Sequence, residues 1–254
     1  LKQGIKMKKI IFTVSLLISS FGFADDHAPS IFGIETYACN YNEGKDINDL
    51  LGVSKKWNRF ASKNFSMPYQ GYVLTPYYRN ADSGYDVYWV GMSPSFEAQG
   101  TTQDEMLTKG ESINSEFLEV ISCDAQGQWG AMMVMNAGDS VPENGTVSFE
   151  SCTMKEGATM EKMMAADAKM NAFAQKIGMT GSMLRWFPLG GQSNSVSGSF
   201  MQVSSNESLA ERGKNYDRAV KNGAIQVNAS LYGDLVDCQN GGTSLYVSVG
   251  GKEG

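Results

Sequence analysis

Four cysteines, one histidine and a recurrent pair of asparagines are the residues from which this chain could assemble chemistry. Their placement excludes most familiar sets. The single histidine, His27, precedes every segment with the pattern of a folded element. A Ser-His-Asp or Cys-His arrangement therefore cannot be built from the body of the chain, and sites that depend on imidazole have no donor there. The cysteines, Cys39, Cys123, Cys152 and Cys238, include no C-x-x-C pair and no adjacent histidine, so no metal site is expected. No cofactor is expected either. Carboxylate, tyrosine, lysine and arginine chemistry remains, and no spacing singles out a catalytic set. The 15 methionines offer one minor alternative, Cu(I) held by thioethers. Met160, Met163, Met164 and Met170 fall at near-helical spacing, however, which reads as a core-facing stripe.

The elements that would position these residues occur twice. Cys39-Asn-Tyr-Asn-Glu43-Gly44 followed by Ser54 to Ala61 returns as Cys152-Thr-Met-Lys-Glu156-Gly157 followed by Asp167 to Ala174. Cys, Glu and Gly keep an offset of 113 residues, as do Lys56/Lys169, Asn58/Asn171, Phe60/Phe173 and Ala61/Ala174. Two copies of one unit are expected, over residues 25–138 and 139–254. The Gly-, Asp-, Ser- and Pro-containing stretch Asn136 to Asn144 would link them.

Within the first copy the pattern predicts a strand over Ile31–Tyr41, a helix over Asp46–Lys63 with Asp46 as cap, and strands over Tyr72–Tyr78 and Tyr85–Met92. A helix from about Gln103 to Ser112 follows, then a strand over Glu116–Cys123 and a trailing strand over Trp129–Met135. The second copy predicts strands over Val147–Met154, Gly181–Phe187, Ser199–Val203, Gln226–Cys238 and Leu245–Val249. Its helices are expected over Thr159–Lys176 and Glu207–Lys221.

This β-α-β-β-α-β order resembles the ferredoxin-like unit of the dimeric α/β-barrel superfamily, in which two such units pack sheet against sheet. The expected fold class is α+β: two tandem ferredoxin-like repeats whose sheets form that barrel within one molecule, a monomeric pseudo-dimer. The resemblance covers nearly all of the chain after its leader and rests on element order and duplication. It implies cofactor-independent oxygenases, haem-degrading enzymes or small-ligand binders. The haem-degrading pattern places a histidine in the second half of a unit, and this chain has none there.

In a ferredoxin-like sheet the first and fourth strands are antiparallel neighbours. The resemblance therefore implies disulfides Cys39–Cys123 and Cys152–Cys238, although spacing alone leaves the other two connectivities open. Asn58 and Asn171, in helices where asparagine is a weak former, would either satisfy a backbone group or point between the sheets. Tyr77, Arg79 and Trp89 of the first copy, with Arg185 and Trp186 of the second, lie on middle strands of a barrel and are candidate wall residues for a small aromatic or anionic ligand. Alternation places Val87 and Trp89 on one face and Tyr88 and Val90 on the other, without saying which faces inward.

Met7-Lys8-Lys9, the apolar run to Ile18 and the small residues before Ala24 have the form of a secretory signal cut after Ala24. Residues 1–6 read as an upstream start. Removing Leu1 to Ala24 takes four lysines and no acid, leaving 17 basic and 27 acidic residues, a net of −10. Nucleic acid and anionic membranes are unsuited partners for such a chain, and no membrane insertion is expected after cleavage. The expectation is an exported protein, periplasmic or secreted. It would bind a small ligand or a protein partner and lean away from enzymatic activity, with a cofactor-independent oxygenase as the alternative.

Overall fold

A computed structural model describes residues 31–79, 84–136, 142–192 and 199–253. The leader with its expected signal and His27, residues 80–83 and 193–198, and residues 137–141 of the expected linker lie outside the described residues. The chain runs β1 (Ile31–Tyr41), α1 (Ile47–Asn64), β2 (Tyr69–Tyr78), β3 (Val87–Ser93), α2 (Phe96–Lys109), α3 (Glu111–Leu118) and β4 (Ile121–Asn136). The same order of element types follows in β5 (Asn144–Met154), α4 (Met160–Lys176), β6 (Ser182–Gly190), β7 (Ser199–Asn206), α5 (Leu209–Lys221), α6 (Ala224–Tyr232) and β8 (Val236–Lys252).

Local chemistry sets most boundaries. The Asp46 carboxylate accepts from the Asn48 and Asp49 amides, and Asp49 returns the contact to the Asp46 N–H, a full capping box for α1. Leu50, Val53, Trp57 and Ala61 then form its buried stripe. Thr159, Ser95 and Ser208 cap α4, α2 and α5 in the same side-chain-to-backbone manner.

The eight strands close into an antiparallel barrel in the order β1-β3-β2-β8-β5-β7-β6-β4. Two long strands make the closure. β4 pairs with β1 over Ile121–Met132 and with β6 over Gln128–Asn136. β8 pairs with β5 over Val236–Val247 and with β2 over Thr243–Lys252. Each begins inside its own half and ends on the other half. This corrects the expected pair of short strands at Glu116–Cys123 and Trp129–Met135: Gln126-Gly127 is no turn, because β1 pairs across it at Tyr37 and Thr36.

A second correction concerns the helices. Gly110 divides the expected 103–112 helix into α2 and α3, so α3 occupies the residues before Ile121. In the second half, Gly223 takes a left-handed φ of 72°, ends α5 and starts α6. Ile225 and Val227 give this stretch a strand-like composition, yet it is helical until Tyr232 and the strand starts only at Val236. Tertiary context overrides β-branched propensity here.

Three cores result. Ile34, Leu74, Val90, Ala131, Val147, Val203 and Tyr246 fill the barrel. Trp57, Phe65, Tyr69 and Trp89 form an edge-to-face group between α1 and the first half's outer sheet face, with Trp57 and Trp89 4.7 Å apart. A smaller cluster of Cys152, Met163 and Phe200 lies beneath α4. Of the expected methionine stripe, Met163 is core while Met164 is 40% exposed, so the adjacent pair is divided between core and solvent.

Asn58 and Asn171 perform reciprocal work. Asn58 Oδ1 on α1 accepts the Gly251 N–H of β8 at 2.8 Å, and Asn171 Nδ2 on α4 donates to the Val134 carbonyl of β4 at 2.6 Å. Each helix is thus tied to the strand that enters from the other half.

The smaller core also carries an ion pair. Arg185, 1% exposed, makes two bonds of 2.6 and 2.7 Å to Asp167, and the Tyr232 hydroxyl donates to the same carboxylate at 2.7 Å. The Arg185 guanidinium lies 5.3 Å from the Phe200 ring. At the matching position of α1, Ser54 merely back-bonds to the Leu50 carbonyl. Breaking one partner of such a pair leaves a buried charge uncompensated. Asp167→Asn is expected to lower stability by about 3–5 kcal/mol, whereas the double apolar replacement D167L/R185M recovers most of it. Urea unfolding of the three proteins checks this, and an Asp167→Asn loss below about 1 kcal/mol would remove the pair from the account of stability.

Candidate functional site

The barrel interior is not filled evenly along its axis. At the end where β1 starts, Phe32, Tyr72, Met92 and Leu184 pack onto the core, and Tyr72 meets Tyr246 edge-on at 5.8 Å. At the opposite end the inward positions include the small residues Ala38, Ala125 and Gly127 beside Tyr88, with Gly191, Gly241 and Gly242 at the rim. A cavity of about 470 Å³ remains there, within the range of small-molecule sites. An eight-stranded barrel has room for one such ligand only where its side chains are small.

Backbone irregularities occur at both ends of the barrel, at Gly71/Tyr72 and Met133/Met135 on the packed side and at four places around this mouth. Those four register shifts lie at Ala38/Cys39 between β1 and β4, at Gln128/Trp129 between β4 and β6, at Pro76/Tyr78 between β2 and β8, and at Ser148/Glu150 between β5 and β8. Bulges of this kind collect at barrel rims and re-aim side chains. Glycine is required at two of the points: a Cβ on Gly241 would lie 2.0 Å from the Phe149 carbonyl oxygen, and one on Gly191, whose φ is 79°, 2.1 Å from that of Gln126.

Both disulfides flank the same end from outside. Cys39–Cys123 and Cys152–Cys238 join directly opposed residues of β1/β4 and β5/β8. They cross-link the strand pairs where packing within the barrel is thinnest. Glu150 approaches the second bridge, but bonded sulfurs are not thiolate ligands, and no metal site follows.

Aromatic rings form the floor. Trp186 is 5.6 Å from Phe149 and 6.2 Å from Trp129, whose indole N–H donates to Thr36 Oγ1 at 3.0 Å. Tyr78 and Tyr88 stand nearer the opening, with Gln126, Gln192, Thr243 and Ser244 as neutral polar groups. Gln192 is fixed by donation to the Gln128 carbonyl at 2.7 Å. Arg79 is the one charged lining residue among those described.

The expected site residues separate accordingly. Arg79 and Trp186 line the cavity. Tyr77 is not a lining residue: it is 51% exposed, with its ring 4.8 Å from that of Tyr78. Trp89 and Arg185 occupy the opposite parity of their strands and face the helices, so they are not part of the wall; Tyr88 and Trp186, one residue away, are. Asn58 and Asn171 are committed to the helix–strand ties described above. Trp129 and Thr243, absent from the expected set, are central to the wall. The strand pattern could have indicated Trp129, since it shares parity with buried Ala131.

A second polar group lies outside the barrel, under α2. The buried Glu35 carboxylate accepts from Tyr69 and Gln103 at 2.5 Å each and from Tyr37 at 3.2 Å, while Trp89 donates to Tyr69 at 3.0 Å. No cation meets this carboxylate among the described residues. Gly91 is small for the sake of Tyr69, whose hydroxyl would lie 1.9 Å from a Cβ there.

Comparison with known proteins shows the fold alone. No protein-family model matches the chain, and no curated protein matches it. Solved structures do. A protein of Lactobacillus acidophilus NCFM provisionally assigned as a monooxygenase superposes with a TM-score of 0.53 at 10% identity, over 87% of this chain and 94% of its own. An anthrone oxidase-like protein gives 0.51 at 10%, over 88% and 94%. A dye-decolorizing peroxidase of Bacteroides thetaiotaomicron gives 0.51 at 10%, over 85% and 93%. The chain therefore has the dimeric α/β-barrel fold, with both four-stranded sheets supplied by one polypeptide. Some proteins of this fold hold haem. Here neither half contains a histidine, and the cavity wall offers neither imidazole nor thiolate among the described residues. A haem held through histidine or cysteine therefore finds no ligand among them.

The tyrosines around Glu35 give the site region a pH dependence. Burial, and then the neighbouring carboxylate, push the phenols of Tyr69 and Tyr37 well above their usual value, and burial takes Tyr72 to about 12. Above pH 10 the unfolded chain releases phenolic protons that the folded chain keeps, so stability falls as pH rises. Absorbance at 295 nm is expected to show incomplete ionisation of the 11 tyrosines until the protein unfolds, and Y69F with Y37F to flatten the alkaline loss of stability. Full titration near pH 10 in a folded protein would contradict this.

Proposed function

We propose that this chain is an exported binding protein that receives a small aromatic molecule in the hollow end of its barrel. The observation that carries the reading is the contrast between the two ends: one packed with large side chains, the other left open where Ala38, Ala125 and several glycines share the wall with Tyr78 and Tyr88, above a floor of Trp129, Trp186 and Phe149. Rings on such a floor offer edge and face contacts to a planar guest. The neutral hydroxyls and amides on the wall can orient it without proton transfer.

Export is supported by the signal-like leader and by two disulfides, which persist in oxidising compartments. Among the described residues no helix is long and apolar enough to cross a membrane. We read the two halves as copies of one ferredoxin-like unit, from the recurring offset of 113 residues, the repeated element order and the reciprocal Asn58 and Asn171 ties.

One rival keeps the same cavity. The fold is shared with an anthrone oxidase-like protein, and an aromatic guest able to react with dioxygen would make the chain a cofactor-independent oxygenase. Oxygen uptake with a bound anthrone distinguishes turnover from binding.

The binding itself is tested with 2-naphthol, neutral at pH 7, followed by tryptophan quenching and thermal shift. Saturable quenching is expected, and at 100 times Kd about 2.7 kcal/mol of stabilisation, roughly 5–10 °C in Tm. Ala38→Phe, which fills the mouth, is expected to fold and to abolish both signals. Absence of saturable binding, or equal binding by a folded Ala38→Phe, would defeat the proposal.

A further inference from the structure

The charge pattern of the mouth narrows the ligand class, on the footing of the binding reading above. Arg79 follows β2 at the rim and lines the cavity. No carboxylate pairs with it and none lines the cavity among the described residues. Among the described residues Arg79 thus differs from Arg185 and Arg218, which both meet acids, and it does so at an exposed rim beside an apolar cavity.

A second guanidinium reinforces the same side. Arg212 of α5 lies 5.7 Å from the Tyr78 ring and 4.7 Å from Tyr216. Its Nε donates to Ser148 Oγ at 3.2 Å, and Ser148 shares a 2.8 Å hydrogen bond with the lining residue Thr243. It too has no carboxylate partner among the described residues. Tyr78, which precedes Arg79 in the chain and shares the cavity lining with it, thus has a second positive charge, Arg212, against its ring. The floor, by contrast, is wholly aromatic and aliphatic, from Trp129 and Trp186 to Leu74 and Val90.

We infer that the ligand is a planar aromatic monoanion, a carboxylate on one or two fused rings, bound with its rings on the tryptophan floor and its carboxylate at Arg79. A guanidinium suits a carboxylate because its N–H groups can donate in parallel. One lining guanidinium matches one negative charge, in a chain whose net charge is −6.

The test compares 2-naphthoate with 2-naphthylmethanol, near-isosteric and neutral, by tryptophan quenching on wild type, Arg79→Gln, Arg79→Lys and Ala38→Phe. Wild type is expected to prefer naphthoate about tenfold, a preference that shrinks with salt. Arg79→Gln should bring naphthoate to the affinity of the alcohol and leave the alcohol unchanged, Arg79→Lys should retain part of the preference, and Ala38→Phe should bind neither. Equal affinity of both probes for wild type, or a preference that survives Arg79→Gln, overturns the anionic assignment while the aromatic cavity stands. Naphthoate binding that survives Ala38→Phe places the anion elsewhere and also overturns it. Failure of both probes to bind wild type defeats the underlying reading together with this one.

Discussion

Closure of the barrel through β4 and β8 is the constraint on which the other features depend. A sheet of four strands has two edges whose backbone groups must find partners, and here each half's last strand is long enough to supply the other half's edge. β4 gives Gln128–Asn136 to β6, and β8 gives Thr243–Lys252 to β2. The halves are therefore not separate bodies that dock by side chains alone. Their shared ladder fixes the distance between the two inner faces and with it the width of the space inside. The asparagines at positions 58 and 171 belong to this arrangement, since each holds a helix against the strand that crosses over.

Given a fixed width, side-chain size decides what is solid and what is hollow. Large residues at one end complete a core of native density, while alanine and glycine at the other leave a volume that side chains do not reach. Such a cavity forgoes packing energy, of order 20 cal/mol for each Å² of its surface. The two cross-strand disulfides act at this end. Loops of 84 and 86 residues are each worth roughly 4 kcal/mol in the chain-entropy account. Stability lost from an incompletely packed mouth can thus be offset by bonds outside it, and the hollow need not be closed for the fold to persist.

The sequence was legible where one residue type has one physical meaning. Asp46 marks the start of α1, and strand alternation separates Trp89 from Tyr88; the cysteine pairing came from the resemblance to a ferredoxin-like sheet, since spacing alone left three connectivities. Which of Trp89 and Tyr88 faces the cavity was not legible, because parity assigns faces relative to each other and only tertiary pairing assigns them to inside or outside. That ambiguity placed Trp89 and Arg185 in the expected wall. The long strands were hidden for a related reason: Gln126-Gly127 has turn composition, and only pairing with β1 makes it extended. α6 was hidden because Ile225 and Val227 favour strands locally, whereas Gly223 redirects the chain into a helix.

The two halves share an order of elements but not a chemistry, and that difference bears on how the mouth could discriminate. In the first half aromatic rings packed under α1 adjoin a buried carboxylate under α2 that is held by neutral donors; under α4 the second half packs few apolar residues around an arginine–aspartate pair. Neither group reaches the cavity. The wall, in contrast, draws Tyr78 and Arg79 from the first half and Trp186 and Thr243 from the second. The outer faces differ and stabilise each half separately. The inner faces differ as well, so the wall lacks two-fold symmetry, and a single cationic rim stands over one aromatic floor. A guest with a charged end and an apolar body then has one preferred orientation, which a symmetric barrel could not give it.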